Sequence, residues 1–228
     1  MTISIPPRLR NVAFATCLVK RYLAPDPATG RARYSGAYFE RIGGGGDRPE
    51  TAYQFTAQDL LAVTMLSVRI ERYHALHVLD YQARELSSLL TQIPLGITLQ
   101  DPEAGPLIAE DGPAWKLWEA IRWTKPRPGD DNIGPITAGK LLARKRPDLI
   151  PVYDNRVRDV LSRPRPDNSW WHDLRCQLIN DQALVRHLQT VRSQAGADHM
   201  SLLRVFDVMC WMFSRPGEVS ACSQQMPD

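Results

Sequence analysis

The residues whose types and spacing point most directly to chemistry lie between positions 132 and 154. A turn reading NIGPITA begins at Asn132, and a carboxylate, Asp154, follows twenty residues after Gly134. Glycine lets two backbones approach closely and adopts positive φ without a Cβ clash. Proline suits the first position of a helix, where its missing N–H has no partner to lose. The pattern predicts a tight turn at Gly134 and a helix that begins at Pro135.

The start of such a helix can bind a phosphate oxygen. Its first amide groups have no acceptor within the helix, and the positive end of the helix dipole lies beside them. Cations follow along the same helix and would add sequence-independent attraction to a nucleic-acid backbone; they are Lys140, Arg144, Lys145 and Arg146. We expect contact with phosphates rather than bases. A Gly-Pro turn with a basic face also occurs in proteins without any ligand, so a structural role stays open.

Asp154 has two possible roles. It precedes a predicted helix, Asn155 to Leu161, and an aspartate in that place commonly caps the helix through its side chain. A carboxylate held in a water-poor site can instead stabilise positive charge that develops on a sugar, and can orient an attacking water. The residues alone leave both roles open.

This pattern resembles the helix-hairpin-helix DNA glycosylases. In that family the turn is similar to Gly-hydrophobic-Gly-x-x-Thr-Ala, and a catalytic Asp lies twenty residues beyond the second glycine, as Asp154 does here. Upstream, the segment DLLAVTMLSVR from Asp59 to Arg69 resembles the early helix of the endonuclease III group. The resemblance covers roughly residues 55 to 165. The run KLLARKRPDLIPVYD is also similar to an actinobacterial protein family of unknown function, so an enzyme fold need not imply retained activity.

The chain departs from the glycosylase pattern at named positions. The first hairpin glycine is replaced by Asn132, and Arg69 stands where the family has glutamine. Ile136 occupies the place of the lysine that bifunctional members use, so no Schiff base can form there. No four-cysteine iron–sulfur pattern is present near the C-terminus. The resemblance therefore implies a glycosylase without lyase activity, cofactor, metal or iron–sulfur cluster.

The implied function is hydrolysis of the N-glycosidic bond of a damaged or modified base that is extruded from double-stranded DNA. The implied fold is an all-α bundle with a helix-hairpin-helix motif and two helical lobes that flank a cleft. Asp154 would be the catalytic carboxylate. The residues expected to contact DNA are Asn132, Gly134, Ile136, Thr137, Lys140 and Arg144, and those expected in the base pocket are Tyr38, Trp118, Tyr153 and Arg69. The lesion recognised and the oligomeric state do not follow from the sequence.

Two other functions remain open beside this one. The first is a non-catalytic helix-hairpin-helix protein that binds DNA with little sequence preference and uses Asp154 only as a cap. The second is a helical interaction protein whose basic patch meets an acidic partner. Residues 116 to 165 hold twelve Lys and Arg against six Asp and Glu, whereas the rest holds sixteen against nineteen. The positive balance is local, which favours a polyanionic partner.

Composition places the chain among ordinary globular proteins. It has 228 residues, of which 43% are hydrophobic and 23% charged, with a net charge of +3. No leader pattern and no apolar run long enough to cross a membrane are evident, so we expect a cytoplasmic protein without a membrane partner. The four cysteines are scattered without a C-x-x-C pair, and we expect them to be reduced, with neither zinc nor a disulfide framework.

Apolar residues recur at helical spacing along the chain, and no strand alternation persists, which predicts an all-α fold. We expect an N-terminal helix and a Gly-rich connector in residues 1–54, a helical domain in residues 55–214 and a flexible tail in residues 215–228. Thr56 and Asp59 form a capping box that opens a helix reaching about Val68. Further helices are predicted over residues 11–23, 73–90, 114–123, 182–194 and 199–213. Another helix is predicted to begin at Trp170, and the Pro-Gly segment at 126–129 is predicted to separate the helix over 114–123 from the helix that begins at Pro135.

Overall fold

The computed structural model describes residues 3–122 and 132–225. In that part of the chain the secondary structure is helical without a β-strand, which confirms the all-α prediction. In chain order the α-helices are α1 (Val12–Leu23), α2 (Ala57–Thr64), α3 (Arg72–Leu76), α4 (Ala83–Thr91), α5 (Ala104–Ile108), α6 (Pro113–Arg122), α7 (Pro135–Lys145), α8 (Asn155–Val160), α9 (Trp170–Asn180), α10 (Gln182–Gln194), α11 (Leu202–Phe213) and α12 (Pro216–Gln224). The predicted break at 126–129 lies outside the described residues.

The chain forms two compact units. Unit 1 comprises residues 1–37 and 152–228, and unit 2 comprises residues 38–151. These boundaries differ from the division at 54/55 and 214/215 that the sequence suggested. The Gly-rich connector, in particular, belongs to the same unit as the helices that follow it.

Unit 1 is built around α11, which packs against α1, α8, α10 and α12. The helix is apolar on nearly every side, because Val205, Phe206, Val208 and Met209 are all at most 1% exposed. A helix that is apolar all round has to be surrounded by other helices. The N-termini of α1 and α11 are capped by Asn11 and Ser201, whose side chains accept from the amides of Phe14 and Arg204.

Unit 1 also contains a disulfide between Cys17 on α1 and Cys222 on α12. The expectation of reduced, unlinked cysteines is therefore wrong for Cys17 and Cys222, whereas Cys176 and Cys210 are free. The two linked residues are 205 positions apart, so no spacing motif announces the pair, and only the packing of α12 on α1 brings them together. The predicted flexible tail is wrong for the same segment, because residues 216–224 are helical and Cys222 and Glu218 are buried.

Unit 2 places α6 between α4, α5 and α7, and α2 packs on α7. The inward side of α6 consists of Ala114, Leu117 and Ile121, each of which is fully buried. The capping box of Thr56 and Asp59 opens α2 as predicted.

Two helices of unit 2 are shorter than the sequence pattern suggested. Helix α2 ends at Thr64, not near Val68, and Ser67 shortly after it adopts a φ of 60°. The predicted helix over residues 73–90 is divided by a π-helical turn, His77–Tyr81, and α4 begins after it. Among the described residues no helix has the length and apolar character needed to cross a membrane.

Candidate nucleic-acid interface

The turn before α7 is anchored from one side and open on the other. Ile133 is 1% exposed and fixes the turn in the core of unit 2, while Asn132 and Pro135 are exposed. Gly134 is the residue before the helix, with φ −67° and ψ 159°. The expected positive φ is therefore not used. A Cβ atom built on Gly134 meets no atom of residues 3–122 or 132–225 within 4 Å, so a side chain there would project into the space that we expect a ligand to use.

The first amide groups of α7 lie in this open turn. Within the described part of the chain no side chain caps the helix, and Pro135 supplies no N–H. The amide of Ala138 makes the first bond of the helix, 3.0 Å to the Gly134 carbonyl. The amides of Ile136 and Thr137 precede it, so they are the donors that a helix start offers to an anion.

Trp118 joins α6 to this turn. Its indole N–H donates to the carbonyl of Pro135 at 3.1 Å, which holds the first residue of α7 against α6. The Trp115 ring lies 5.1 Å from the Trp118 ring, and the Arg122 guanidinium lies over Trp118 at 4.3 Å. The predicted pocket residue Trp118 is thus beside the turn. Trp115 and Arg122 were not predicted as site residues. The available signal was their spacing, since Trp115 lies three positions before Trp118 and Arg122 lies four positions after it, on the same side of the helix.

The predicted basic face of α7 is wrong. Lys140 is 3% exposed and its ammonium donates to the Leu66 carbonyl at 2.8 Å. Arg144 is also 3% exposed; its Nε lies 3.3 Å from Asp59, and its terminal nitrogens donate to the carbonyls of Phe39 and Ile42. Neither cation is placed to contact an external phosphate, because both are used inside unit 2.

The next two cations are buried in the same way. The ammonium of Lys145 lies 2.5 Å from Asp59 and donates to the carbonyls of Gly46 and Thr51. Arg146 donates to carbonyls on other segments, those of Ala52, Leu90 and Ile93. Burial lowers the pKa of Lys145, against the opposing effect of Asp59, and burial lowers the pKa of Arg146 to about 10.

The Gly-rich connector packs against these buried cations at the end of α7. Gly46 is required there, because a Cβ on it would lie 2.2 Å from the Arg144 carbonyl oxygen. Gly43 and Gly44 adopt φ values of 60° and 78°, a region that side-chain-bearing residues rarely occupy. The glycines therefore serve close packing of the connector on the end of α7.

Asp154 is half-buried and caps α8. Its Oδ1 accepts from the amides of Arg156, at 2.9 Å, and Val157, at 3.2 Å. The capping role predicted as one of two alternatives is present, and these bonds hold the carboxylate in one orientation. Asp154 belongs to unit 1, whereas the turn before α7 belongs to unit 2.

Tyr153, the predicted pocket residue beside Asp154, is engaged within unit 1. Its ring stacks on Trp170 with 4.3 Å between the centroids, and its hydroxyl donates to Asp167. Burial, together with the bond to Asp167, raises the pKa of Tyr153 far above its ordinary value. One face of the ring is thus covered by Trp170 and is not available to a base.

The remaining predicted pocket residues lie at the surface. Tyr38 is 41% exposed. The side chain of Arg69 is 86% exposed, and its Nε lies 2.7 Å from Glu71. An exposed arginine paired to a near neighbour in sequence is typical of an ordinary surface residue. Within residues 3–122 and 132–225, no cluster of three or more His, Cys, Asp or Glu side chains is arranged to hold a metal ion; the expectation that no cofactor is used stays a prediction.

The comparisons with known proteins identify a family but no activity. DUF6308, described as a family of unknown function, matches residues 15–214. No curated protein matches the chain, and no solved structure does. The resemblance to helix-hairpin-helix glycosylases therefore stays a prediction.

Proposed function

The chain belongs to the DUF6308 family, and from the geometry of its own residues we propose that it binds double-stranded DNA through the N-terminal turn of α7. One observation carries the proposal, which is the open start of α7. There, an exposed Asn132 and a side-chain-free Gly134 stand before amides that no side chain of the described residues caps.

The anchoring of this turn supports a binding role. Ile133 on one side and Trp118 on the other fix the turn from within unit 2, so the amides of Ile136 and Thr137 keep their direction without a ligand. A binding group that is already ordered loses little entropy when the ligand arrives. The proposed contacts are therefore Asn132, Gly134, Ile136 and Thr137, acting on phosphate oxygens without reading the bases.

The buried cations change the expected electrostatics. Lys140 and Arg144 no longer belong to the proposed contact set, so attraction depends on the helix start and on other cations near the turn. Arg122 lies against Trp118 beside the turn, and Lys116 is an exposed cation elsewhere on the same helix, α6. With few charged contacts, affinity should fall only modestly with added salt, since each neutralised phosphate contributes about 0.9 to the logarithmic slope.

A charge placed at the turn tests the proposal. Gly134→Glu puts a carboxylate where the phosphate would lie and should weaken binding of a labelled duplex by about tenfold or more, measured by fluorescence anisotropy. The control is Ser88→Glu, which adds the same charge at an exposed position of α4 and should leave affinity within about twofold. Equal affinities for wild type and Gly134→Glu, or no duplex binding by the wild type, would refute the proposal.

Base removal at Asp154 is the second candidate function. It is supported by the spacing from Gly134 and by the two amide bonds that orient the carboxylate. As the glycosidic bond lengthens, such a carboxylate would stabilise the oxocarbenium-like sugar and direct a water to it. Ile136 supplies no amine, so the reaction would leave an abasic site without cutting the strand.

A matched pair of cap variants separates catalysis from capping. Asp154→Asn and Asp181→Asn both alter an aspartate N-cap, of α8 and of α10 respectively. The substrates are duplexes that each carry one altered base, followed by mild alkali and detection of strand breaks. Loss of base release in Asp154→Asn alone, with DNA affinity retained, is the expected result. Release that persists in Asp154→Asn, or that is absent in wild type across the panel, would exclude this function.

A further inference from the structure

Helix α12 is attached to the rest of unit 1 by few groups. Of its nine residues, Glu218 and Cys222 are the buried ones. Neither is a large apolar side chain, and burial of an apolar face is what stabilises most helices in proteins. Gly217, Ser220 and Ser223 favour a helix less than alanine does, and a helix of this length is marginal on its own. The order of α12 therefore depends on the contacts of Glu218 and Cys222.

The Glu218 carboxylate makes polar contacts with the chain around α1. Its Oε2 lies 2.5 Å from Nε of Arg21. Its Oε1 accepts from the Tyr34 hydroxyl at 2.7 Å and lies 3.2 Å from Arg33. All these groups become hydrated when α12 moves away, and that hydration offsets much of their mutual attraction. The polar contacts alone therefore stabilise the docked helix less than a packed apolar face would.

The disulfide between Cys17 and Cys222 is the second attachment of α12. It joins α12 covalently to α1, so the helix cannot leave α1 while the bond is intact. Cys17 is partly exposed, whereas Cys222 is 0% exposed. A thiol reductant can therefore reach the bond at the Cys17 sulfur while the protein is folded, and access to a sulfur is one of the factors that set the rate of exchange.

We propose that α12 is released from α1 when a dithiol reduces this disulfide, while the other helices of unit 1 stay packed. A thiolate of the dithiol attacks Sγ of Cys17, the S–S bond breaks, and the Cys222 sulfur leaves as a thiolate that takes up a proton. The second thiol of the reductant then displaces Cys17 from the mixed disulfide. Two electrons and two protons pass to the cysteines, and the dithiol becomes a disulfide.

Release of α12 changes the surface of α1 without removing its other support, because α1 also packs on α10 and α11. Arg21, Arg33 and the Tyr34 hydroxyl lose the carboxylate of Glu218, so two positive charges lose a negative partner and become accessible to solvent. The redox state of one bond thus sets the charge of this surface. The release involves no residue of the α7 turn and is independent of DNA binding.

Alkylation of cysteines by iodoacetamide, located by mass spectrometry, tests the release on the full chain. Cys210 on α11 and Cys222 on α12 are both 0% exposed, so Cys210 is a matched control within unit 1. Without a reductant, Cys17 and Cys222 should not react. After reduction with dithiothreitol, Cys222 should react about thirtyfold faster than Cys210 or more, because local opening of α12 exposes Cys222 alone.

Two variants extend the experiment. Cys17→Ser removes the link without a reductant, and Cys222 should then react at the rate seen in the reduced wild type. Cys176→Ser removes a free cysteine of α9 and should leave Cys222 unreactive until the reductant is added.

Three results would overturn the proposal. If Cys222 reacts as slowly as Cys210 after reduction of the wild type, α12 stays docked without the bond. If Cys210 and Cys222 both react rapidly, unit 1 unfolds as a whole. If Cys17 and Cys222 react without a reductant, no bond links them.

Discussion

A buried carboxylate in each unit meets two cations, Asp59 in unit 2 and Glu218 in unit 1, but the surroundings of the two carboxylates differ. In unit 2, Asp59 meets Arg144 and Lys145, and the surplus donors of both cations go to backbone carbonyls. In unit 1, Glu218 accepts from Arg21 at 2.5 Å and Tyr34 at 2.7 Å.

The two carboxylates differ in whether a covalent bond stabilises the same region of the fold. Glu218 is on α12, and the same helix is joined to α1 by the Cys17–Cys222 disulfide. Arg21 and Cys17 are one helical turn apart on α1, as are Glu218 and Cys222 on α12, so a covalent link and an ion pair act side by side. The Asp59 cluster has no such link. Unit 2 should therefore depend on its buried charges, whereas unit 1 has a second support.

The largest effect is expected for Asp59→Asn. The change leaves Lys145 and Arg144 buried without a negative partner, and breaking a buried ion pair in this way costs about 3–5 kcal/mol. The free energy of unfolding from urea titration measures it. Asp80→Asn, at an exposed position, should change stability by less than about 0.5 kcal/mol. A cost below about 1 kcal/mol for Asp59→Asn would mean that the carbonyls alone satisfy the cations.

Loss of the disulfide comes next. Cys222→Ser should lower the free energy of unfolding by about 2–5 kcal/mol, because the unfolded chain is no longer constrained across a long loop. The wild-type protein in a thiol reductant should have the same free energy of unfolding as Cys222→Ser has in the absence of the reductant. Cys176→Ser, at a free cysteine, provides the control. If the reductant and the substitution leave stability unchanged, the link does not support unit 1.

The stabilisation that the Glu218 carboxylate gives to unit 1 should depend on pH. Burial alone would raise the pKa of Glu218, but bonds from Tyr34 and Arg21 and the charges of Arg21 and Arg33 outweigh it, so the pKa lies below its ordinary 4.5. A folded-state pKa below the unfolded one gives stability that is present above pH 4.5 and is lost as the pH falls through the folded value.

Glu218→Gln should therefore cost about 2 kcal/mol at neutral pH, the usual value for hydrogen bonds to a charged group. The gap between wild type and variant should narrow as the pH falls below 4.5. Urea titrations of both proteins at several pH values provide the comparison. A gap that is constant with pH would show that Glu218 acts through packing and not through its charge.

Two glycines of unit 2 are expected to respond in opposite directions. Gly46→Ala places a Cβ 2.2 Å from the Arg144 carbonyl oxygen and should cost about 1–3 kcal/mol. Gly139→Ala lies inside α7, and the new Cβ meets no atom of the described residues within 4 Å. It should stabilise the protein by about 1 kcal/mol, the difference in helix propensity. Thermal unfolding of both variants distinguishes them. Similar shifts would contradict the close packing of the connector on Arg144.

The smallest effect concerns salt. Lys140→Met should leave the salt dependence of DNA binding unchanged, because the ammonium is bonded to the Leu66 carbonyl inside unit 2. Lys116→Met, which removes an exposed cation of α6, should reduce the logarithmic slope by up to about 0.9 if Lys116 meets a phosphate. If Lys140→Met instead reduces the salt dependence of the affinity, Lys140 contacts the DNA.

Prediction from sequence succeeded for the helices and failed for the surfaces. The capping box at Thr56 and Asp59 was predicted from cap chemistry, and the helices predicted over 11–23, 182–194 and 199–213 are observed over 12–23, 182–194 and 202–213. For the candidate site, the turn at Gly134 and the neighbouring Trp118 were predicted. The accessibility of Lys140 and Arg144 was not, because an isolated helix pattern does not reveal which carbonyls another segment brings to a cation.

The sequence by itself determined the helical class, the starts of helices that have local caps, such as α2 at Thr56, and the apolar faces of helices such as α6, since these depend on residues within a few positions of each other. Only the tertiary structure decided that Lys145 lies inside, that Cys17 meets Cys222 and that α12 is ordered. Each of these depends on partners far along the chain, such as the Gly46 carbonyl for Lys145. A charge is stable in the interior only where such partners surround it, and their arrival is a property of the fold rather than of any local segment.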